Sequence, residues 1–232
     1  LPRIPPSRRR ALTDEEVGAL VGAIDENYRA MVLVCAFCAL RPGEAVALRC
    51  PQLNLMTRTV SVVETASYVN GKLIVGPPKT DASVRTIPIP APIGDVLEQH
   101  LGALGLRGDD LVFPGPGGGH IRMNNWQRRY WLPAFERAGI EPIAMHQLRH
   151  TGITRWVQAG LDLVTVARRA GHESVRTVAD IYARAIEGET AADALVAERA
   201  AAVISAATRS RSGHAEVTVT DLAARRRQQN GS

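Results

Sequence analysis

Four side chains in the second half of this 232-residue chain could together hold and attack a phosphodiester. They lie in Met145-His146-Gln147-Leu148-Arg149-His150-Thr151, in Gly171-His172-Glu173-Ser174, and in Ile181-Tyr182. His146 and Arg149, three positions apart, share one face of a helix. A guanidinium is a planar fork that matches two phosphate oxygens. An imidazole three residues away can reach the same phosphate and exchange protons near neutrality. A phenol becomes a nucleophile when neighbouring cations favour its ionised form. An isolated His-x-x-Arg is more often a capped helix start with surface side chains, so the case rests on what accompanies it.

Two further cations precede this group. Arg41 lies in Ala39-Leu40-Arg41-Pro42-Gly43-Glu44, at the junction of two helices after an apolar run, where a salt bridge to Glu44 is the bland reading. Glu44 can do both, pairing with Arg41 and orienting it. Lys79 lies in Pro78-Lys79-Thr80-Asp81-Ala82-Ser83-Val84-Arg85-Thr86-Ile87-Pro88. Lysines in such turns are ordinarily just solvated. Here, of 28 basic residues only Lys72 and Lys79 are lysine, the other 26 being arginine, so a retained Lys attracts notice. Lysine can release a proton near neutrality and arginine cannot. Lys72 shares the rarity without the context and reads as a solvated strand residue.

The ordered set Arg41, Lys79, His146, Arg149, His172 and Tyr182 resembles the active site of the tyrosine recombinase (phage integrase) family. The matching segments are Ala-Leu-Arg-x-x-Glu, a hairpin Lys followed by Arg-Thr-Ile-Pro, His-x-Leu-Arg-His-Thr, and Gly-His-x-Ser with a Tyr ten residues after the His. Two departures are Ala170, where the family usually has Leu, and Arg184, where it often has His. The resemblance covers roughly residues 12 to 207 and implies an α+β fold, mainly helical, with a small three-stranded antiparallel sheet. It implies catalytic roles for those six residues, with Glu44 supporting Arg41, and DNA strand cleavage and rejoining through a 3′-phosphotyrosyl link to Tyr182. No cofactor, metal or ATP is implied. The implied partners are a double-stranded DNA attachment site, protomers of the same recombinase in a synaptic tetramer, and accessory DNA-bending proteins. The implied setting is the cytoplasm of a bacterial host, at the nucleoid. A type IB topoisomerase-like nicking-closing enzyme shares this chemistry. A non-catalytic DNA-binding relative shares the fold, although all six chemical residues are present here.

Composition allows this reading. The chain is 45% apolar, enough for a core, and carries a net charge of +5, which suits a polyanion. The apolar run from Ala30 to Leu40 is too short to span a bilayer. Cys35, Cys38 and Cys50 fit a reducing compartment, and the Cys-x-x-Cys inside an apolar helix reads as packing. Tyr28, Tyr68 and Tyr130 read as packing residues, and His150 as a partly buried structural histidine.

The elements that must position the site follow from local signals. Residues 1–12 are Pro- and Arg-rich and read as a linker, with Arg8, Arg9 and Arg10 as DNA contacts. By resemblance it leads from an N-terminal core-binding domain outside this sequence; the first residue is Leu, and a longer protein is expected. A catalytic domain is expected over residues 13–207 and a tail over 208–232. Thr13-Asp14-Glu15-Glu16 is a capping box opening a helix to about Asp25, and Asn27 is placed to cap the next. Strands are predicted over 59–64, 72–75 and 84–89, with Asn70-Gly71 as a hairpin turn. Helices are predicted over 93–104, 123–138, 144–159, 162–170, 174–185 and 189–207. The last carries a stripe of Leu195, Val196, Val203 and Ile204, which suits packing on a partner surface: its own domain or, as in recombinases by resemblance, a neighbouring protomer.

Overall fold

The computed structural model describes residues 10–179. Arg8, Arg9, Tyr182, the helix expected over 189–207 and the tail over 208–232 lie outside the described residues. Within them the fold is mainly helical. Helix α1 (Asp14–Ala23) is opened by the Thr13/Glu16 capping box, as its sequence predicts. Helix α2 (Glu26–Phe37) is capped by Asp25, whose carboxylate accepts from the Asn27 N–H at 3.0 Å. Asp25 displaces Asn27 from the cap because its side chain already reaches the second N–H of the helix. Helix α3 (Pro42–Ala47) starts with proline at its first position, where the missing N–H has no partner to lose.

A small three-stranded antiparallel sheet is present as expected, but the strand predicted over 72–75 belongs to a separate hairpin. β1 (Leu53–Asn54), β2 (Thr59–Val62) and β5 (Arg85–Pro88) make one antiparallel sheet, while β3 (Thr65–Val69) and β4 (Lys72–Gly76) make a separate hairpin. The two-residue turn explains the difference. Asn70 and Gly71 both take positive φ, 48° and 78°, the geometry of a tight hairpin loop. Such a loop pairs the residues immediately beside it, so Lys72 faces Val69 and Gly76 faces Thr65. The strand predicted over 59–64 is left to pair with β5, Val60 opposite Ile87 and Val62 opposite Arg85. This places Arg85 on the inward face of β5, two residues from the fully buried Ile87.

The remaining helices are α4 (Ala91–Leu104), α5 (Met123–Trp126), a π turn (Gln127–Trp131), α6 (Leu132–Ala138), α7 (His146–Gln158) and α8 (Leu163–Ala170). Along the α5–α6 stretch Trp131 stacks on Trp126 and meets Phe135 edge to face, and Trp131 Nε1 donates to the Ile143 carbonyl at 2.7 Å. Tyr28 and Tyr130 join this cluster edge to face, in the packing role expected of them. Cys35 and Cys38 are wholly buried, and burial pushes the Cys38 thiol up to about 12, which keeps it protonated and inert.

One helix pair sets the site. Helix α7 packs on α2 with Gly152 at the crossing. A Cβ added there would lie 3.0 Å from the Ala36 carbonyl oxygen and 3.0 Å from the Ala39 Cβ. The absence of a side chain brings Arg149, one helical turn earlier, against the end of α2. No helix among the described residues is long and apolar enough to cross a membrane.

Candidate active site

Ala39, just past α2, sits in the left-handed region at φ 52°, which is strained for a residue with a Cβ. Its carbonyl accepts a 2.7 Å hydrogen bond from Arg149 Nη1. Two residues on, Arg41 caps α3, and its backbone N–H donates to Glu44 Oε2 at 2.8 Å. Arg41 Nη1 donates to Glu44 Oε1 at 2.7 Å, and Nη2 to the Gly171 carbonyl at 3.0 Å. The salt bridge and the orienting role anticipated for Glu44 are therefore one arrangement. It leaves the Arg41 side chain about one-third exposed over a buried carboxylate.

Glu44 has a second cation that the sequence reading missed. Arg85 forks onto it, Nη1 to Oε1 and Nη2 to Oε2, both at 2.9 Å. The available signal was an arginine at an inward position of a strand, which demands a buried carboxylate. Glu44, inside the apolar α3, is the partner supplied.

Arg149 is 2% exposed. Besides the Ala39 carbonyl, its Nη2 donates to the Ala170 carbonyl and to His172 Nε2, the latter at 3.0 Å. Arginine only donates, so Nε2 must accept and the His172 proton must sit on Nδ1. That buried Nδ1 has no hydrogen-bond partner among the described residues. Burial, reinforced by Arg149, Arg41, Arg85 and His146, pushes the His172 pKa down to about 4, so the ring is neutral at pH 7. Burial and the neighbouring Arg41 push Arg149 down to about 9, which still leaves it charged at pH 7.

A cleft of about 630 Å³ brings Arg41, Lys79 and His172 onto common walls, with Thr80, Ser174 and Thr177 beside them. Arg149 lies directly behind His172 rather than on the wall. His146 begins α7 with an exposed side chain, one turn from Arg149, and its charge is felt at His172. Of the N-terminal arginines only Arg10 is described. It pairs with Glu16 at 2.7 Å and donates to the Glu141 carbonyl at 3.3 Å, so its contacts lie within the fold. Three guanidinium groups (Arg41, Arg85, Arg149) surround one carboxylate (Glu44), an excess of two positive charges before Lys79 is counted. Such an excess in a half-buried cleft calls for an anion.

Glu44 also carries an acid-stability consequence. Burial disfavours its charge, but the hydrogen bonds and charge of Arg85, then Arg41, outweigh that and hold the carboxyl below its ordinary 4.5. A depressed folded pKa contributes stability that is present above the unfolded value and lost as pH falls through the folded one. Glu44→Gln is expected to cost about 3 kcal/mol at pH 7, since it leaves the Arg85 guanidinium buried without a carboxylate. It should also flatten the stability decline below pH 4.5 in urea-unfolding curves. An unchanged acid limb would show that another group carries the linkage.

The fold defines a class, the mainly helical fold of solved tyrosine recombinases. The Tn1549 transposon integrase, solved in complex with a circular intermediate DNA, superposes with a TM-score of 0.66 at 16% identity, covering 77% of this chain and 62% of that one. The XerA recombinase gives 0.61 at 22% identity, covering 78% and 61%. At these identities the likeness is one of fold. The sequence itself goes further: residues 10–189 match the phage integrase family, and the chain belongs to that family. The prophage phiRv2 integrase of Mycobacterium tuberculosis is 30% identical over 168 residues, covering 71% of this chain and 44% of that protein. A XerC-like tyrosine recombinase of Caldanaerobacter subterraneus is 27% identical over 196 residues, covering 75% and 50%. The chain thus spans about half the length of the curated relatives it matches.

Proposed function

We propose that this chain is the catalytic domain of a site-specific DNA recombinase that cuts and rejoins duplex DNA through a covalent link to Tyr182. The observation that supports it most is the cleft in which Arg41, Lys79 and His172 face one volume, backed by Arg149 and Glu44. The proposed substrate is a phosphodiester of a DNA attachment site, and partner protomers in a synaptic tetramer supply the second strand.

The chemistry follows from the groups. A phosphodiester resists attack because its anionic oxygens repel nucleophiles. Arg41 and Arg149 neutralise them and stabilise the added charge of the five-coordinate transition state. His172, neutral and on the cleft wall, hydrogen-bonds the phosphate without adding charge. The Tyr182 phenolate oxygen attacks phosphorus, the bond to the 5′-oxygen breaks, and Lys79 delivers a proton to that oxygen. His146 exchanges protons with the phenol. The 5′-hydroxyl of a second strand then attacks the phosphotyrosyl ester, Lys79 takes its proton, and Tyr182 departs. The ester conserves the energy of the broken bond, so rejoining needs no other source.

The test is a pool of nicked duplexes of randomised sequence incubated with the protein in EDTA. We expect a covalent adduct that maps to Tyr182 through a 3′-phosphate, because guanidinium groups supply the neutralisation that metals supply in other phosphoryl-transfer sites. No adduct, or an adduct strictly dependent on Mg²⁺, overturns the reading. Joining of the recovered strand to a second duplex, rather than resealing of one duplex, separates recombinase from nicking-closing enzyme.

A further inference from the structure

Arg85 lies behind the cleft and none of the steps above uses it. Its side chain is 4% exposed, and all three guanidinium nitrogens are engaged. Nε donates to the Arg169 carbonyl at 2.7 Å, Nη1 to the Ser83 carbonyl at 2.8 Å, and Nη1 and Nη2 to the Glu44 carboxylate. These acceptors belong to three separate segments. Ser83 ends the loop that bears Lys79. Glu44 holds Arg41. Arg169 is in the last turn of α8, whose exit through Gly171 delivers His172.

The tie to Lys79 is short. Ser83, pinned through its carbonyl by Arg85, donates from its backbone N–H to the Thr80 carbonyl at 3.0 Å, and the two hydroxyls meet at 3.1 Å. Thr80 is the neighbour of Lys79. The loop and the His172 turn also touch at Gly171, which has φ 65°; a Cβ there would lie 3.1 Å from both the Ala82 carbonyl oxygen and Arg85 Nη1. A planar fork with three separated acceptors fixes both distance and angle among the segments, which an ammonium cannot do.

We infer that Arg85 is the positioning residue for Lys79, setting the proton donor of the leaving oxygen in register with the Arg41 and His172 face of the cleft. The inference rests on the recombinase reading and adds to it a division of labour: Arg85 acts on the leaving-group proton more than on the phosphate clamp.

A change of leaving atom tests this. A 5′-oxygen needs a proton to depart. A 5′-bridging sulfur leaves as a thiolate, whose conjugate acid has a pKa of about 8.5, and needs none. The duplex recovered in the selection above is made in both forms, and single-turnover adduct rates are measured for the parent, Lys79→Ala, Arg85→Lys and Arg85→Met. Lys79→Ala should lose about 1000-fold on oxygen and less than about tenfold on sulfur, the scale of a missing general acid. Arg85→Lys should show the same asymmetry, about 100-fold against less than about tenfold. The sulfur-to-oxygen ratio within one variant does not depend on how much of it is folded, so Arg85→Met remains informative even where it is unstable.

Equal losses on the two substrates for both Arg85 variants overturn the inference while leaving the recombinase reading intact. Equal losses for Lys79→Ala remove Lys79 as the proton donor and the inference with it. A parent that forms no adduct with either duplex overturns the underlying reading as well.

Discussion

Tyr182→Phe is expected to abolish the covalent protein–DNA adduct while leaving DNA retention nearly unchanged. Removal of a covalent nucleophile costs on the order of 10⁶-fold, which in a gel means no adduct at any incubation time. Binding responds differently. A duplex is held through many phosphates, each releasing counterions, and one neutral hydroxyl contributes at most about 1 kcal/mol. The pair of measurements is therefore an adduct gel and a mobility shift on the same duplex. The tyrosines among the described residues give the prediction its edge: Tyr28 and Tyr130 are packed against each other, burial raises the Tyr28 phenol still further above neutrality, and the Tyr68 hydroxyl donates to the His120 carbonyl. An adduct surviving in Tyr182→Phe would mean that the nucleophile is another group.

The second large effect is expected at Arg149. Arg149→Lys should slow single-turnover cleavage by about 10²–10³-fold, the scale of disturbing one preorganised electrostatic group behind the reacting phosphate. Lysine keeps the charge but cannot serve the Ala39 carbonyl, the Ala170 carbonyl and His172 Nε2 at once, as the guanidinium does. With Nε2 no longer held as an acceptor, the His172 tautomer is also released. Stability should fall by about 1–3 kcal/mol, because buried acceptors lose their donor. The two effects separate experimentally. Cleavage at saturating DNA, normalised to folded protein from a melting curve, reports catalysis alone. A normalised rate within about threefold of the parent would make Arg149 a purely structural clamp on the end of α2.

The candidate site residues were legible in the sequence because their types are constrained by the chemistry proposed for them and their spacing by the helices that carry them. His146 and Arg149 stand three apart, and the structure places both at the start of α7. Arg41 and Glu44 stand three apart, and the capping geometry of α3 turns that spacing into a contact. The tight Asn70-Gly71 turn was legible for the same reason, since positive φ at two successive positions selects those residue types. Which strands pair was not. Alternation marks a strand without naming its partner, and the short β3 was absorbed into the connection before the turn.

The kinds of chemistry available to this chain were determined by its sequence: two forked cations, two imidazoles, a rare lysine and a phenol in fixed order, on a basic and mainly helical chain. Family membership follows from the same order, because it is a property of residue types along a line. Tertiary structure alone decided which charges meet. Glu44 and Arg85 are 41 residues apart, and Arg149 and the Ala39 carbonyl 110 apart. No local period predicts such pairs, since they depend on the pairing of β2 with β5 and on the crossing of α2 and α7 at Gly152. Burial is likewise a property of the fold: an imidazole ordinarily half-charged near neutrality becomes the neutral His172 only where guanidinium groups and excluded water surround it.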